Sequence, residues 1–353
     1  MKLKLIVPAT DYNLTNRKKV LTPPLGMATI AALTPPEIDV SITDENVTVV
    51  DFEEAVDLVG ITALTLTAQR AYEIADAFRT RGVTVILGGI HASMQPDEAS
   101  QHADSVVVGE AEGIWGHVID DFKANRLNKV YRQRKRPSLN NLPIPRRDLS
   151  TDGAYFVKNT ISATRGCPYS CSFCSVTPFL GNIFRCRPVE EIIREVDTFN
   201  NRQPVVFVDD NIVGNPKFAK ELFSALIPYK IKWLAQASVT IAKDDELLEL
   251  AAASGCIALL IGFESISPAS LATVGKKINV VAQYQDVIRK IHSKKISVHG
   301  FFIVGLDGDT EEVFMRTVRF AQKMRLESTG FAYPTPLPGT AFYDSSPKWL
   351  VHS

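Results

Sequence analysis

Neither sign of charge is in excess: 39 Lys and Arg balance 39 Asp and Glu over 353 residues. That balance excludes a global field gathering nucleic acid or an anionic membrane. The one basic run, RQRKRP at 132–137, reads as a solvated connector. No apolar run approaches the about 18 residues of a membrane-spanning helix. The opening MKLKLIVPAT meets Pro8 and Asp11 too soon for a secretion signal and reads as a first strand. Cysteine is scarce and odd in number, five in all, which argues against a disulfide framework and for a reducing cytoplasm. Disorder bias is also missing, since 45% hydrophobic and 22% charged residues suffice to bury two ordinary cores.

What is present is a cluster. Three of the five cysteines fall in eight residues, Cys167-Pro-Tyr-Ser-Cys171-Ser-Phe-Cys174. Clustered thiolates point to zinc, an iron-sulfur cluster or a redox disulfide. Structural zinc needs a fourth ligand from a second CxxC or a His pair downstream, and no such pair follows; Cys186 and Cys256 each stand alone. Three thiolates around a four-iron cube leave one iron without a protein ligand, a place where a small molecule binds. Gly166 and Pro168 suit a tight loop. Phe173 either lies flat beside the bound ligand or packs into the core.

TRGCPYSCSFC resembles the C-x3-C-x2-C loop of the radical S-adenosylmethionine (SAM) superfamily. The resemblance implies that Cys167, Cys171 and Cys174 hold a 4Fe-4S cluster and that Phe173 contacts the adenine of SAM. It further implies that an electron from the cluster cleaves SAM to a 5'-deoxyadenosyl radical, drawn from a donor such as flavodoxin or ferredoxin.

Residues 1–128 alternate short β-branched runs with amphipathic stretches: strands at 3–7, 40–42, 58–65, 83–87 and 105–108, a helix at 26–33, and a helix carrying Ala71, Ile74, Ala75 and Phe78 at i, i+3, i+4, i+7. This predicts an α/β fold with a parallel sheet, Rossmann-like (flavodoxin-like), with ligands at the carboxyl ends of its strands. PPLGMATIAAL, GGIHA and VVVGEAE resemble the cobalamin-binding domain that precedes many radical SAM cores. The resemblance implies cobalamin contacts from Thr65, Thr67, Gly88, Gly89, Gly109 and Glu110. The D-x-H-x-x-G motif that supplies a lower axial His elsewhere is absent, so His91 is not a cobalt-ligand candidate. The alternative is a Rossmann-like domain that has lost its cofactor.

An Arg-, Asn- and Pro-rich connector at 129–152 marks the expected boundary, with the second domain at 153–353. There the alternation resumes through six strands, near 160–164, 205–208, 233–237, 258–263, 297–304 and 330–333. This predicts a partial (β/α)6 barrel of TIM type, with function in the loops after the strands. Asp209 and Asp210 are candidates for the SAM amino group, against a solvated turn. Gln236, Ser238, Glu264 and Ser265 are candidates for ribose or carboxylate contacts, against helix capping. Gly305 is a candidate for the adenine approach, although Phe301 and Gly308 depart from the family's G-x-I-x-G-x-x-E pattern. Asp309 and Glu312 resemble a capping box. Relatives of this layout commonly continue beyond the sixth strand, whereas this chain stops at SSPKWLVHS, so it is expected to lack a C-terminal extension.

The expected activity is cobalamin-dependent methylation of an unactivated carbon in a small-molecule substrate. The alternatives are a cobalamin-dependent cyclase or rearrangement enzyme, a non-catalytic iron-sulfur or zinc module, and a truncated inactive homologue.

Overall fold

The computed structural model describes residues 1–10, 22–151, 153–200 and 202–346. Asp11 and the closing segment 347–353 lie outside the described residues. Two compact units divide the chain, Met1–Lys158 and Asn159–Ser353.

In the first unit, six strands form one sheet: β1 (Lys2–Val7), β2 (Asp39–Asp44), β3 (Leu58–Thr62), β4 (Thr84–Gly88), β5 (Ser105–Val108) and β6 (Val130–Arg132). Their order is β2-β1-β3-β4-β5-β6, and every pairing is parallel. Helices cover both faces, which is why β3 and β4 read as nearly continuous apolar runs. One core packs α2 (Ala68–Thr80) through Ala71, Ile74, Ala75 and Phe78; the other joins α1 (Leu25–Leu33) and α5 (Trp115–Lys123) through Ala31, Trp115 and Val118. Short helices α3 (Gly89–Met94) and α4 (Pro96–His102) follow β4.

The strand expected to run to residue 65 stops at Thr62, because the Thr67 hydroxyl bonds the backbone of Leu64 and closes a single tight turn at Thr65–Thr67. The segment read as a connector contributes β6. Strand order reverses between β1 and β3, and in open parallel sheets a ligand settles outside the carboxyl ends at such a reversal.

The second unit is built on β7 (Asn159–Ile161), β10 (Val205–Phe207), β11 (Trp233–Ala237), β12 (Cys256–Glu264), β13 (Ser297–Ile303) and β14 (Ser328–Ala332), all parallel in the order β14-β13-β12-β11-β10-β7. Between β7 and β10, β8 (Thr164–Arg165) and β9 (Arg185–Cys186) make a small antiparallel ladder that flanks α6 (Val176–Leu180), and α7 (Val189–Val196) follows. The later helices are α8 (Pro216–Leu226), α9 (Asp245–Ala253), α10 (Pro268–Thr273), α11 (Tyr284–Ser293), α12 (Val313–Met324) and α13 (Ala341–Ser345).

Local side-chain chemistry starts two of these helices. The Asn215 side chain accepts from Phe218 N at 3.2 Å and Asp244 from Leu247 N at 3.0 Å. Asp309 does otherwise. It accepts from Gly305 N and Leu306 N, both at 3.0 Å, and from the Ser270 hydroxyl, so it ties the turn after β13 to α10 instead of capping α12. The main core places Trp233, Phe207, Phe223 and Phe263 between sheet and helices.

Candidate functional site

The cysteine loop springs from the end of the first strand of the second unit. Gly166 opens it at φ +88°, where a Cβ would collide with the Ile183 carbonyl, so only glycine fits. Within the loop Cys174 N bonds Cys171 O at 3.1 Å. The middle peptides are fastened from outside: Ser172 N donates to Val274 O at 3.2 Å, and Ser172 O accepts from Phe342 N at 2.9 Å. Phe173 packs against Val274, Ile303 and Leu306. Its ring is therefore part of a small apolar cluster and only partly buried.

All three cysteines are free and partly buried. Burial pushes each thiol above its ordinary range, Cys171 to about 11. The three sulfurs feel one another: Cys174 and Cys167 both raise Cys171. Lys276 opposes the shift at all three, and the Tyr169 backbone and the Asn211 amide help to oppose it at Cys167. Among the described residues no three His, Cys, Asp or Glu side chains converge as a single metal ion requires. Thiolates on one zinc ion, each about 2.3 Å from it, must crowd together; thiolates on the corners of a four-iron cube stand farther apart.

No further cysteine completes the set. Cys256 begins β12 and so lies at the opposite end of the sheet from the loop, its buried thiol donating to Ala258 O at 3.7 Å. Cys186 faces Thr164 across the β8–β9 ladder, and besides burial it is Asp209 and Glu221, not the other thiols, that raise it. Donor type and number thus fit a 4Fe-4S cluster with one iron left open.

Asp209 is 1% exposed, and burial raises its carboxyl to about 6 against the hydrogen bonds that lower it. It accepts from Ala163 N at 3.1 Å and from the amide and hydroxyl of Thr164, which commits it to the turn leading into the cysteine loop. Asp210 accepts from the Gly166 amide and is raised chiefly by burial. Ser238 N donates to Asn211 Oδ1 at 3.0 Å while its hydroxyl meets Thr240 at 2.6 Å, and Gln236 is exposed on β11. Asn211 Nδ2 is buried without a hydrogen bond of ordinary geometry.

Glu264 is the strained residue of the site. It is buried at φ +63°, beside a register shift in the β12–β13 pairing. Non-glycine residues hold such a conformation only when their surroundings over-determine it. Here Lys276 pairs with the Glu264 carboxylate and also donates to Gly262 O at 3.0 Å. Asn279 bonds Phe263 O at 2.8 Å. Ser265, 2% exposed, accepts from Ser267 N at 3.0 Å, and Gly305 turns at φ +93°. Lys276, Asn211 and Phe342 were not marked by the sequence; a lysine in VGKKINV carries no signal of what it will face.

In the first unit the candidate residues gather after β3, β4 and β5. Gly89 stands at φ +92°, where a Cβ would come within 2.6 Å of Thr62 Oγ1. Gly109 N donates to Ser93 Oγ at 2.9 Å, and buried Glu110 lies 4.0 Å from Arg136. Thr65 Oγ1 lies 3.3 Å from His91 Nδ1, and His91 Nε2 lies 3.3 Å from Glu98. His91 is thereby engaged by its own unit.

Comparison with known proteins agrees with both halves. Residues 161–321 match the model of the radical SAM superfamily, and 15–119 match the B12 binding domain. Bacteriochlorophyllide d C-12(1)-methyltransferase of Chlorobaculum tepidum is 32% identical over 362 residues, covering 99% of this chain and 79% of that protein. The chain belongs to the radical SAM superfamily. This radical SAM protein is also 27% identical to the anaerobic magnesium-protoporphyrin IX monomethyl ester cyclase of Cereibacter sphaeroides, over 81% of its own length and 52% of that relative's. The solved radical SAM methyltransferase TsrM from Kitasatospora setae, with cobalamin and a 4Fe-4S cluster bound, superposes with a TM-score of 0.74 over 97% of the chain and 76% of TsrM; at 17% identity this shows the fold. The radical SAM protein is an enzyme of this class, and its cofactors are a 4Fe-4S cluster, SAM and cobalamin. No helix among the described residues is long and apolar enough to cross a membrane.

Proposed function

We propose that this enzyme methylates an unactivated carbon of a small molecule, with Cys167, Cys171 and Cys174 as the cluster ligands. The observation that carries the reading is three free, partly buried cysteines on one loop fastened at Ser172 from two sides, with Cys256 at the far end of its strand. When bound, the cluster supplies the electron that cleaves SAM, and cobalamin carries the methyl group.

The chain's own residues bind and orient. Asp210 receives the SAM amino group, while Asp209 acts one step back by holding the turn before the loop. Glu264 and Ser265, with Gln236 and Ser238, meet the ribose and the methionyl carboxylate. Phe173 and Gly305 face the adenine. In the first unit Thr65, Thr67, Gly88, Gly89, Gly109 and Glu110 hold the corrin; the glycines allow close backbone approach. A flavodoxin or ferredoxin of the cytoplasm is the proposed reductant.

The test is SAM with a deuterated methyl group, supplied to the loaded enzyme with candidate acceptors. Bacteriochlorophyllide d, named for the 32% relative, is the first to try. Product heavier by one labelled methyl group supports the reading. The similarity to a cyclase favours a second one, ring formation on the same cofactors; product without label but with 5'-deoxyadenosine formed selects it.

A further inference from the structure

We propose that residues 333–346 form a strap that joins the last strand of the open sheet to the cysteine loop after its first strand, with the Phe342 amide as the fastening. The inference rests on the reading of Cys167, Cys171 and Cys174 as cluster ligands.

The sheet runs β14-β13-β12-β11-β10-β7, so its edge strands, the first and the last in sequence, do not pair with each other. A full parallel barrel fixes its loops by closure; this one must fix them otherwise. The chain leaves β14 at Ala332 and enters Tyr333-Pro-Thr-Pro-Leu-Pro-Gly-Thr340, in which three prolines restrict φ and a turn closes with Thr340 N donating to Leu337 O at 3.1 Å. Thr340 is 1% exposed: its hydroxyl donates to Leu337 O at 2.7 Å and accepts from Tyr343 N at 3.1 Å, which sets the start of α13. Phe342 lies in the first turn of that helix, where N–H groups have no partner inside the helix. Its N–H goes to Ser172 O at 2.9 Å.

The target matters more than the bond. Ser172 separates Cys171 from Phe173 and Cys174, and its own N–H is held by Val274 O at 3.2 Å. The loop between two ligands is therefore gripped from the β12–α10 side and from the β14 side. Loss of one grip lets Cys171 and Cys174 drift from the spacing the cube needs, and the cluster is lost sooner.

Two variants isolate the N–H. Phe342→Pro deletes the donor at a position whose N–H no helical bond uses, and Phe342→Ala removes the ring but keeps the donor. The full-length wild type and both variants are reconstituted without oxygen, loaded with hydroxocobalamin to report folding of the other unit, and challenged with a chelator while the cluster absorbance decays. The expected result is that F342P loses its cluster about tenfold faster than F342A, the size of one ordinary hydrogen bond, with equal cobalamin retention. F342P that retains cobalamin but never loads counts with the faster loss. Equal decay of F342P and F342A overturns the strap.

A second measurement needs no variant. Coupling is reciprocal, so amide exchange in 339–346 of the wild type slows once the cluster is assembled; unchanged exchange also overturns the proposal. If the wild type loads no cluster at all, the ligand reading fails instead, and the two failures stay distinct.

Discussion

Asp209 illustrates how a residue's chemistry is settled by its neighbours. In the sequence it is half of an Asp-Asp pair after a strand, equivalent to Asp210; in the fold it is the buried acceptor for Ala163 and Thr164. Asp209→Ala leaves those donors buried and unpaired, and is expected to cost about 3 kcal/mol in urea unfolding. The pH dependence follows from its raised carboxyl, about 6 when folded against an ordinary 3.8. A raised folded value means the contribution is full below about pH 4 and is lost as pH rises through 6. The stability gap between wild type and Asp209→Ala should therefore narrow from pH 4 to pH 7. Lys276 makes the opposite lesson, because a lysine in a polar run became the cation shared by three thiols and Glu264. Lys276→Met removes a positive charge near the cluster loop, so a redox titration followed by electron paramagnetic resonance should place the cluster's potential lower than in the wild type. The three cysteines stand out in the sequence because their spacing is local; Asp209, Lys276 and Phe342 do not, because the partners of Asp209 lie 45 and 46 residues away and those of Lys276 and Phe342 are chosen only by folding.

At the scale of elements, periodicity and capping chemistry carried most of the information. The stripe of α2 and the Asn215 and Asp244 caps are contacts within a few residues, so the sequence contains both partners. Asn215→Ala should cost about 1 kcal/mol, seen as a lower urea midpoint with the slope unchanged. Elements depart from the sequence pattern where a side chain bonds a partner other than the one its spacing suggests. Asp309 looks like a cap for α12 and instead bonds the Gly305 turn and Ser270. The strand after Leu58 looks longer than it is because Thr67 turns back on Leu64. Val130–Arg132, in a connector rich in turn residues, joins a sheet because the edge of β5 was open.

For the whole molecule, two sheets of parallel strands place two sets of small and polar residues at carboxyl ends, one set in each unit. The α/β alternation made this layout readable, since only a parallel sheet accommodates it. What composition could not carry is closure of the second sheet, which depends on a segment leaving the last strand and returning to the first loop. Because the units have separate cores, Cys171→Ala in the full chain is expected to lose iron while retaining added hydroxocobalamin; iron at the wild-type level contradicts the ligand assignment. The most direct measurement of the central claim is the yield of 5'-deoxyadenosine when the anaerobically reconstituted enzyme is reduced with dithionite and given SAM. Three thiolates leaving one iron open predict steady formation of that product by the wild type and none by Cys171→Ala. A fully loaded wild-type cluster that forms no 5'-deoxyadenosine contradicts the account.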